Sequence, residues 1–125
     1  MLSDHRVYAT IPASDIERAR RWYEEKLQLK PRKSEPMGLI YDLGGGTGFL
    51  LYPTSFAGKA PNTLMSFDTH DIKRDVSDLK KRGVKFEDYD MPGLKTVDSI
   101  ATIGDRHGAW FKDSEGNILA IGEAA

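Results

Sequence analysis

Cysteine is absent from this chain of 125 residues. That excludes disulfides, thiolate metal ligands and a thiol nucleophile, and it suits a reducing compartment. Long apolar runs are missing as well; nothing approaches the ~20 consecutive apolar residues of a membrane-spanning helix. Nor is there an excess of one charge: 18 Lys and Arg face 19 Asp and Glu, for a formal net charge of −1. The chain therefore offers no basic field for nucleic acid and no like-charged run for a membrane surface. Its opening, MLSDHRVYAT, lacks the charged-then-apolar pattern of a signal peptide. These absences lead to the expectation of a cytoplasmic protein with neither nucleic-acid nor membrane partners. With 39% hydrophobic and 30% charged residues, the composition suits one folded domain over 1–125.

What is present is an internal repeat. The stretch YATIPASDIERARRWY, from Tyr8 to Tyr23, recurs more loosely as LMSFDTHDIKRDVSDL, from Leu64 to Leu79. Asp15-Ile16 falls on Asp71-Ile72 and Arg18 on Arg74, a spacing of 56 residues. Both copies read as strand, turn and amphipathic helix. In the first, residues 7–11 form a strand, and Ser14 with Glu17 makes a capping box before Ile16, Ala19, Trp22, Tyr23 and Leu27, which recur at helical spacing. The helix stops before Pro31. Residues 39–43 and 49–52 form strands joined by a glycine-rich hairpin loop, 44–48. Residues 55–62, rich in Gly, Pro and small side chains, read as a linker.

The second copy opens with a strand at 63–67. Asp71 or Thr69 caps its helix, Ile72, Val76 and Leu79 form the buried stripe, and Gly83 closes it. Residues 84–86 read as a strand, 88–98 as a loop, and 108–112 with 117–121 as a hairpin around Asp113-Ser114-Glu115-Gly116. The hairpins echo too, Gly38-Leu39-Ile40-Tyr41 with Gly108-Ala109-Trp110-Phe111, and Phe49-Leu50-Leu51 with Ile118-Leu119-Ala120. The expected fold is α+β: two tandem βαβββ modules, about 4–54 and 63–125, forming a curved mixed sheet around a central cavity.

Three segments, IPASDIERARRWYEEKLQL, DIKRDVSDLKKRGVKF and AWFKDSEGNILAI, give the chain a resemblance to the vicinal oxygen chelate superfamily. This is the group of glyoxalase I, the bleomycin-resistance proteins, fosfomycin-resistance enzymes and extradiol dioxygenases. The resemblance covers nearly the whole chain. It implies that a metal enzyme of this type would take ligands from the first and last strand of each module. The positions it assigns to those ligands are Tyr8, Leu51, Leu64 and Ala120. A catalytic divalent ion needs about three N, O or S donors and an open position. One phenol, two leucines and an alanine do not supply them, and the sequence neighbours on either side do no better. No metal and no cofactor are expected.

Strand alternation places Tyr8 and Thr10 on the cavity face, opposite Val7, Ala9 and Ile11. The Tyr8 phenol there acts as a hydrogen-bonding group or fills the space a metal would take; both readings stand. The same parity brings Leu64 and Ser66 to the cavity, joined by Phe49, Leu51, Ile118 and Ala120. Trp110 faces it if it pairs with Ala120 across its hairpin. His107 begins the strand leading to Trp110, at the rim. The result is an apolar, aromatic cup with a few hydroxyls, suited to a small molecule. His5 and His70 read as surface residues, Trp22 and Tyr23 as packing. The glycine-rich 44–48 loop lacks the Lys-Ser/Thr and following helix of a phosphate loop. The expected function is metal-free small-molecule binding, by sequestration or sensing, in a homodimer. The alternative is a glyoxalase-like lyase or isomerase, or a dioxygenase-like enzyme, with a non-standard metal site or none.

Overall fold

Each helix begins where an aspartate can cap it. In the structure, a computed structural model describing residues 1–123, α1 (Ile16–Leu27) starts at Asp15, whose Oδ1 accepts a hydrogen bond from the Arg18 amide at 3.0 Å. At the same place in the repeat, α2 (Ile72–Lys81) starts at Asp71, which accepts from the Arg74 amide at 3.1 Å. These bonds satisfy amides that would otherwise lack partners in the first turn. The expected Ser14 capping box does not form. The Ser14 hydroxyl instead donates to Glu115 at 3.0 Å, a carboxylate from the second module. α1 ends at Gln28 in the left-handed conformation (φ 57°).

Module one has strands β1 (Ala9–Ala13), β2 (Lys33–Glu35), β3 (Gly38–Asp42) and β4 (Gly48–Pro53) in the order β1-β4-β3-β2. Module two has β5 (Thr63–Thr69), β6 (Asp90–Met91), β7 (Leu94–Val97), β8 (Ile100–Ile103), β9 (Arg106–Lys112) and β10 (Ile118–Glu123), in the order β5-β10-β9-β8-β7-β6. In each sheet one parallel pair, β1 with β4 or β5 with β10, joins antiparallel hairpins. The fold is α+β with two tandem modules, and neither mixed sheet closes into a barrel. The expected module limit at 125 lies outside the described residues. None of the helices among the described residues is long and apolar enough to cross a membrane.

Several local expectations are corrected. Val7 lies outside β1 and is 85% exposed. Residues 84–86 form no strand; Phe86 makes an isolated bridge to Phe111, while Val84 and Phe86 bury their side chains. Segment 88–98 contains β6 and β7. β7 turns into β8 through Asp98 and Ser99, both at positive φ (53° and 72°). That geometry suits a tight hairpin, but neither residue is the glycine that announces one in a sequence.

The core draws on both modules. Ile11, Ala13, Tyr41, Phe49 and Leu51 of the first sheet and Ala109, Phe111, Leu119 and Ile121 of the second belong to one buried cluster with Ala19, Tyr23, Ile72 and Val76. Each large apolar side chain so buried contributes roughly 1.5–3 kcal/mol. Trp22 of α1 stacks on Phe111, with ring centroids 6.2 Å apart, and Tyr23 donates to Asp113 at 2.7 Å. The modules thus meet within one chain, through α1 and the β9–β10 turn.

Candidate functional site

Burying the odd-numbered residues of β9 leaves the even-numbered ones on the opposite sheet face. Ala109 and Phe111 enter the core, so Trp110 turns away from it. β10 places Ala120 directly opposite Trp110, and β5 places Ser66 beside Ala120. The expected Trp110–Ala120 pairing is therefore present. These residues line a hollow of about 320 Å³ together with Arg106, His107 and Glu123. Tyr89 meets the Trp110 ring edge-on, with centroids 5.6 Å apart and an interplanar angle of 80°. That contact holds the indole as one wall.

Gly108 and Gly122 form the next cross-strand pair along this floor. A Cβ on Gly108 would come within 3.3 Å of the Trp110 ring, so glycine there gives the indole room to lie across the strand. The next pair, His107 and Glu123, has the parity of Ala109 and Ile121, so it leaves this floor for the α2 side at the rim of the hollow, with Nδ1 2.7 Å from Oε1. This contact orients the imidazole and leaves its Nε2 free of that carboxylate.

Of the sequence-derived candidates, Ser66, His107, Trp110 and Ala120 come together. Tyr8 stands apart: it is 53% exposed and lines a separate hollow of about 120 Å³ with Arg6, Arg32, Ile40 and Leu50. Thr10 is exposed and pairs with Leu50 across the β1–β4 ladder. Leu51 is misplaced by one residue in the expectation. It pairs with Ile11, is 0% exposed and belongs to the core. The two hairpins superpose with Tyr41–Phe49 on Phe111–Leu119, so the counterpart of Ala120 is Leu50. Phe49 is likewise core. Leu64 falls in a bulge, because Thr63 pairs with Ile118 but Met65 with Leu119; it packs against the core and does not line the Trp110 hollow. An extra residue in one strand reverses the parity on which that assignment rested. Arg106 and Glu123 had no assigned role in the sequence. Extending the β9–β10 hairpin by one pair on each side would have found Glu123 opposite His107.

The site does not fit a divalent ion. With the register corrected, the ligand positions are Tyr8, Leu50, Leu64 and Ala120, which offer a single phenol oxygen among hydrocarbon. Among the described residues no three His, Asp or Glu side chains converge. What the hollow offers is an indole face, a hydroxyl, a guanidinium and an oriented imidazole. Stacking and a few polar contacts are the interactions such a set can offer an organic molecule.

The comparisons with known proteins agree on the scaffold. The sequence model of the Glyoxalase/Bleomycin resistance protein/Dioxygenase superfamily matches residues 5–121. A search of curated proteins gives no match. Among solved structures, a glyoxalase family protein from Enterococcus faecalis is 20% identical, with a TM-score of 0.70 over 98% of this chain and 100% of that one. TnmS3, an antibiotic binding protein from Streptomyces sp. CB03234, is 21% identical, with a TM-score of 0.62 over 97% and 95%. FosX, a fosfomycin resistance protein from Listeria monocytogenes, is 11% identical, with a TM-score of 0.68 over 97% and 93%.

Proposed function

The chain belongs to the glyoxalase/bleomycin resistance protein/dioxygenase superfamily, and from that premise we propose that it binds a small organic molecule without a divalent metal, acting by sequestration or sensing. The observation that carries this reading is the replacement of metal donors by hydrocarbon beside a hollow walled by Trp110. The likeness to TnmS3, described as antibiotic binding, supports a small-molecule ligand. A homodimer is part of the reading: Ile103 and Met91 of the β6–β8 region are exposed apolar side chains that a second copy would cover. So is a cytoplasmic location, which the cysteine-free composition supports.

Native mass spectrometry of the purified protein, followed by extraction, identifies the ligand. Titration is then read by calorimetry, which does not depend on the indole as reporter. Trp110→Ala weakens binding about 10- to 100-fold, corresponding to ~1.4–2.8 kcal/mol. Unchanged affinity in Trp110→Ala would remove the hollow from consideration, and stoichiometric zinc, nickel, iron or manganese in the protein as purified would replace the metal-free reading.

A second reading rests on the His107–Glu123 contact. An imidazole held by a carboxylate at the edge of a ligand hollow is the arrangement of a general base. Once the ligand is known, His107→Ala separates the two: loss of turnover with binding retained marks an enzyme, and weaker binding without any turnover marks a binding protein.

A further inference from the structure

On the other face of the second sheet, α2 lies against β7 and β8 across a groove of about 830 Å³. We infer that this groove is a second binding site, for an anionic amphiphile of the fatty-carboxylate type. Its floor is apolar, built from Val76 of α2 with Val97 and Ile100, which face each other across the β7–β8 ladder. Its rim is cationic, with Lys73, Lys80 and Lys81. Among the described residues none of these three lysines takes part in a salt bridge. Asp98 is the sole carboxylate among the described residues that line the groove, in a chain whose net charge is −1. His107, also on the rim, is already engaged by Glu123.

Helix stability accounts for only part of this rim. Lys80 and Lys81 sit in the last turn of α2, where cations are favoured, but Lys73 sits in the first turn, where the helix dipole opposes a positive charge. Lys73 and Lys80 are seven residues apart and so share one face of the helix. The Lys80 ammonium lies 6.0 Å from the centroid of the Phe86 ring, which leaves it without a carboxylate partner among the described residues. Val97, 65% exposed, is held in place by the positive-φ turn at Asp98 and Ser99. A volume of this size accommodates a ligand, and the charge of the rim selects an anion.

Calorimetry with dodecanoate below its micelle concentration tests the site. The expected result is binding of one dodecanoate per chain, with methyl shifts in NMR confined to Val76, Val97 and Ile100 and absent from the Trp110 indole. The double substitution Lys73→Gln/Lys80→Gln then weakens binding at least tenfold while the Trp110 and core methyl signals keep their positions, which shows that the fold is retained. Lys73→Gln, a milder change, gives a smaller loss in the same direction. Equal binding of dodecyltrimethylammonium, shifts centred on Trp110, absence of binding, or adsorption to anionic vesicles in place of the monomeric carboxylate would each overturn the assignment.

Discussion

The two junctions between helix and hairpin turn occupy equivalent places in the repeat, yet are built on opposite chemistry. Where α1 meets the β9–β10 turn, polar groups are buried and paired. Asp113 accepts from the Tyr23 hydroxyl at 2.7 Å, from the Glu115 and Asn117 amides at 2.9 Å each, and from Asn117 Nδ2 at 2.9 Å. Asn117 Nδ2 also donates to the Pro12 carbonyl at 2.7 Å, and Arg18 Nε reaches Glu115 at 2.9 Å. Where α2 meets the β3–β4 turn, the repeat puts Leu79 in the place of Tyr23, Leu43 in that of Asp113 and Gly45 in that of Glu115. Leu43 and Leu79 line a hollow of about 320 Å³ with Phe67 and Leu27. A buried polar set demands one geometry because every unpaired member is costly, whereas leucines tolerate a loose fit. The first junction therefore fixes how the modules sit, and the second leaves slack.

Breaking the polar junction should have the largest effect. Asp113→Ala leaves a hydroxyl, two amides and a side-chain amide without their acceptor, and should cost about 3 kcal/mol or more in urea unfolding. Tyr23→Phe removes one charge-assisted bond and strands Asp113 only in part, for about 2 kcal/mol. Their double-mutant cycle should show coupling, since the two groups touch. Additive losses would mean that the junction is ordinary packing.

Acid should act on the same junction. Burial works to raise the Glu115 carboxyl, but hydrogen bonds from Arg18, the Asp15 amide, Ser114 and Ser14 outweigh it and hold the group at about 2, against a usual 4.5. A carboxyl depressed in the folded state adds stability above its unfolded pKa and loses that contribution as pH falls through its folded value. Stability should therefore decline from about pH 4.5 towards pH 2. Asp113 acts in the opposite sense: burial raises its carboxyl despite the bonds from Tyr23 and Asn117, so protonation there favours the fold and offsets part of the decline. Glu115→Gln should flatten the profile in this window, measured as the urea midpoint against pH. A decline of the same size in Glu115→Gln would place the acid sensitivity elsewhere.

The sequence displayed one side of this comparison well. The repeat, the start of each helix to within a residue, Asp71 as one of two candidate caps and the Trp110–Ala120 pair depend on nearby sequence, and all were legible; the Asp15 cap was not, because Ser14 stood in its place. The placement of Leu51 failed because hairpin similarity was aligned one residue out, and strand parity turns that slip into the wrong face. Leu64 failed for a related reason, a bulge that no composition signals. The Asp113-Ser114-Glu115-Gly116 segment read as a plain turn because its partners Arg18 and Tyr23 lie 97 and 90 residues away along the chain. Ser14 looked like a cap until Glu115 arrived to claim its hydroxyl. Long-range polar pairing was the invisible term for the Asp113–Gly116 turn and for Ser14.

The smallest expected effect is the sharpest test of the comparison. Arg18 and Arg74 are equivalent in the repeat, each following its capping aspartate by three residues. Arg18 engages Glu115, whose side chain is fully buried, whereas among the described residues Arg74 has only an exposed ion pair with neighbouring Asp75 at 3.6 Å. Glycine stands where Arg74 would need its acid. Exposed pairs of this kind contribute little, so Arg74→Ala should change the unfolding free energy by no more than about 0.5 kcal/mol. Arg18→Ala should lower the urea midpoint measurably more, because it strips the strongest donor from a carboxylate that remains in the interior. If the two substitutions had equal effects, the arginine would serve each helix locally and the link between modules would rest on Asp113 and Asn117 alone.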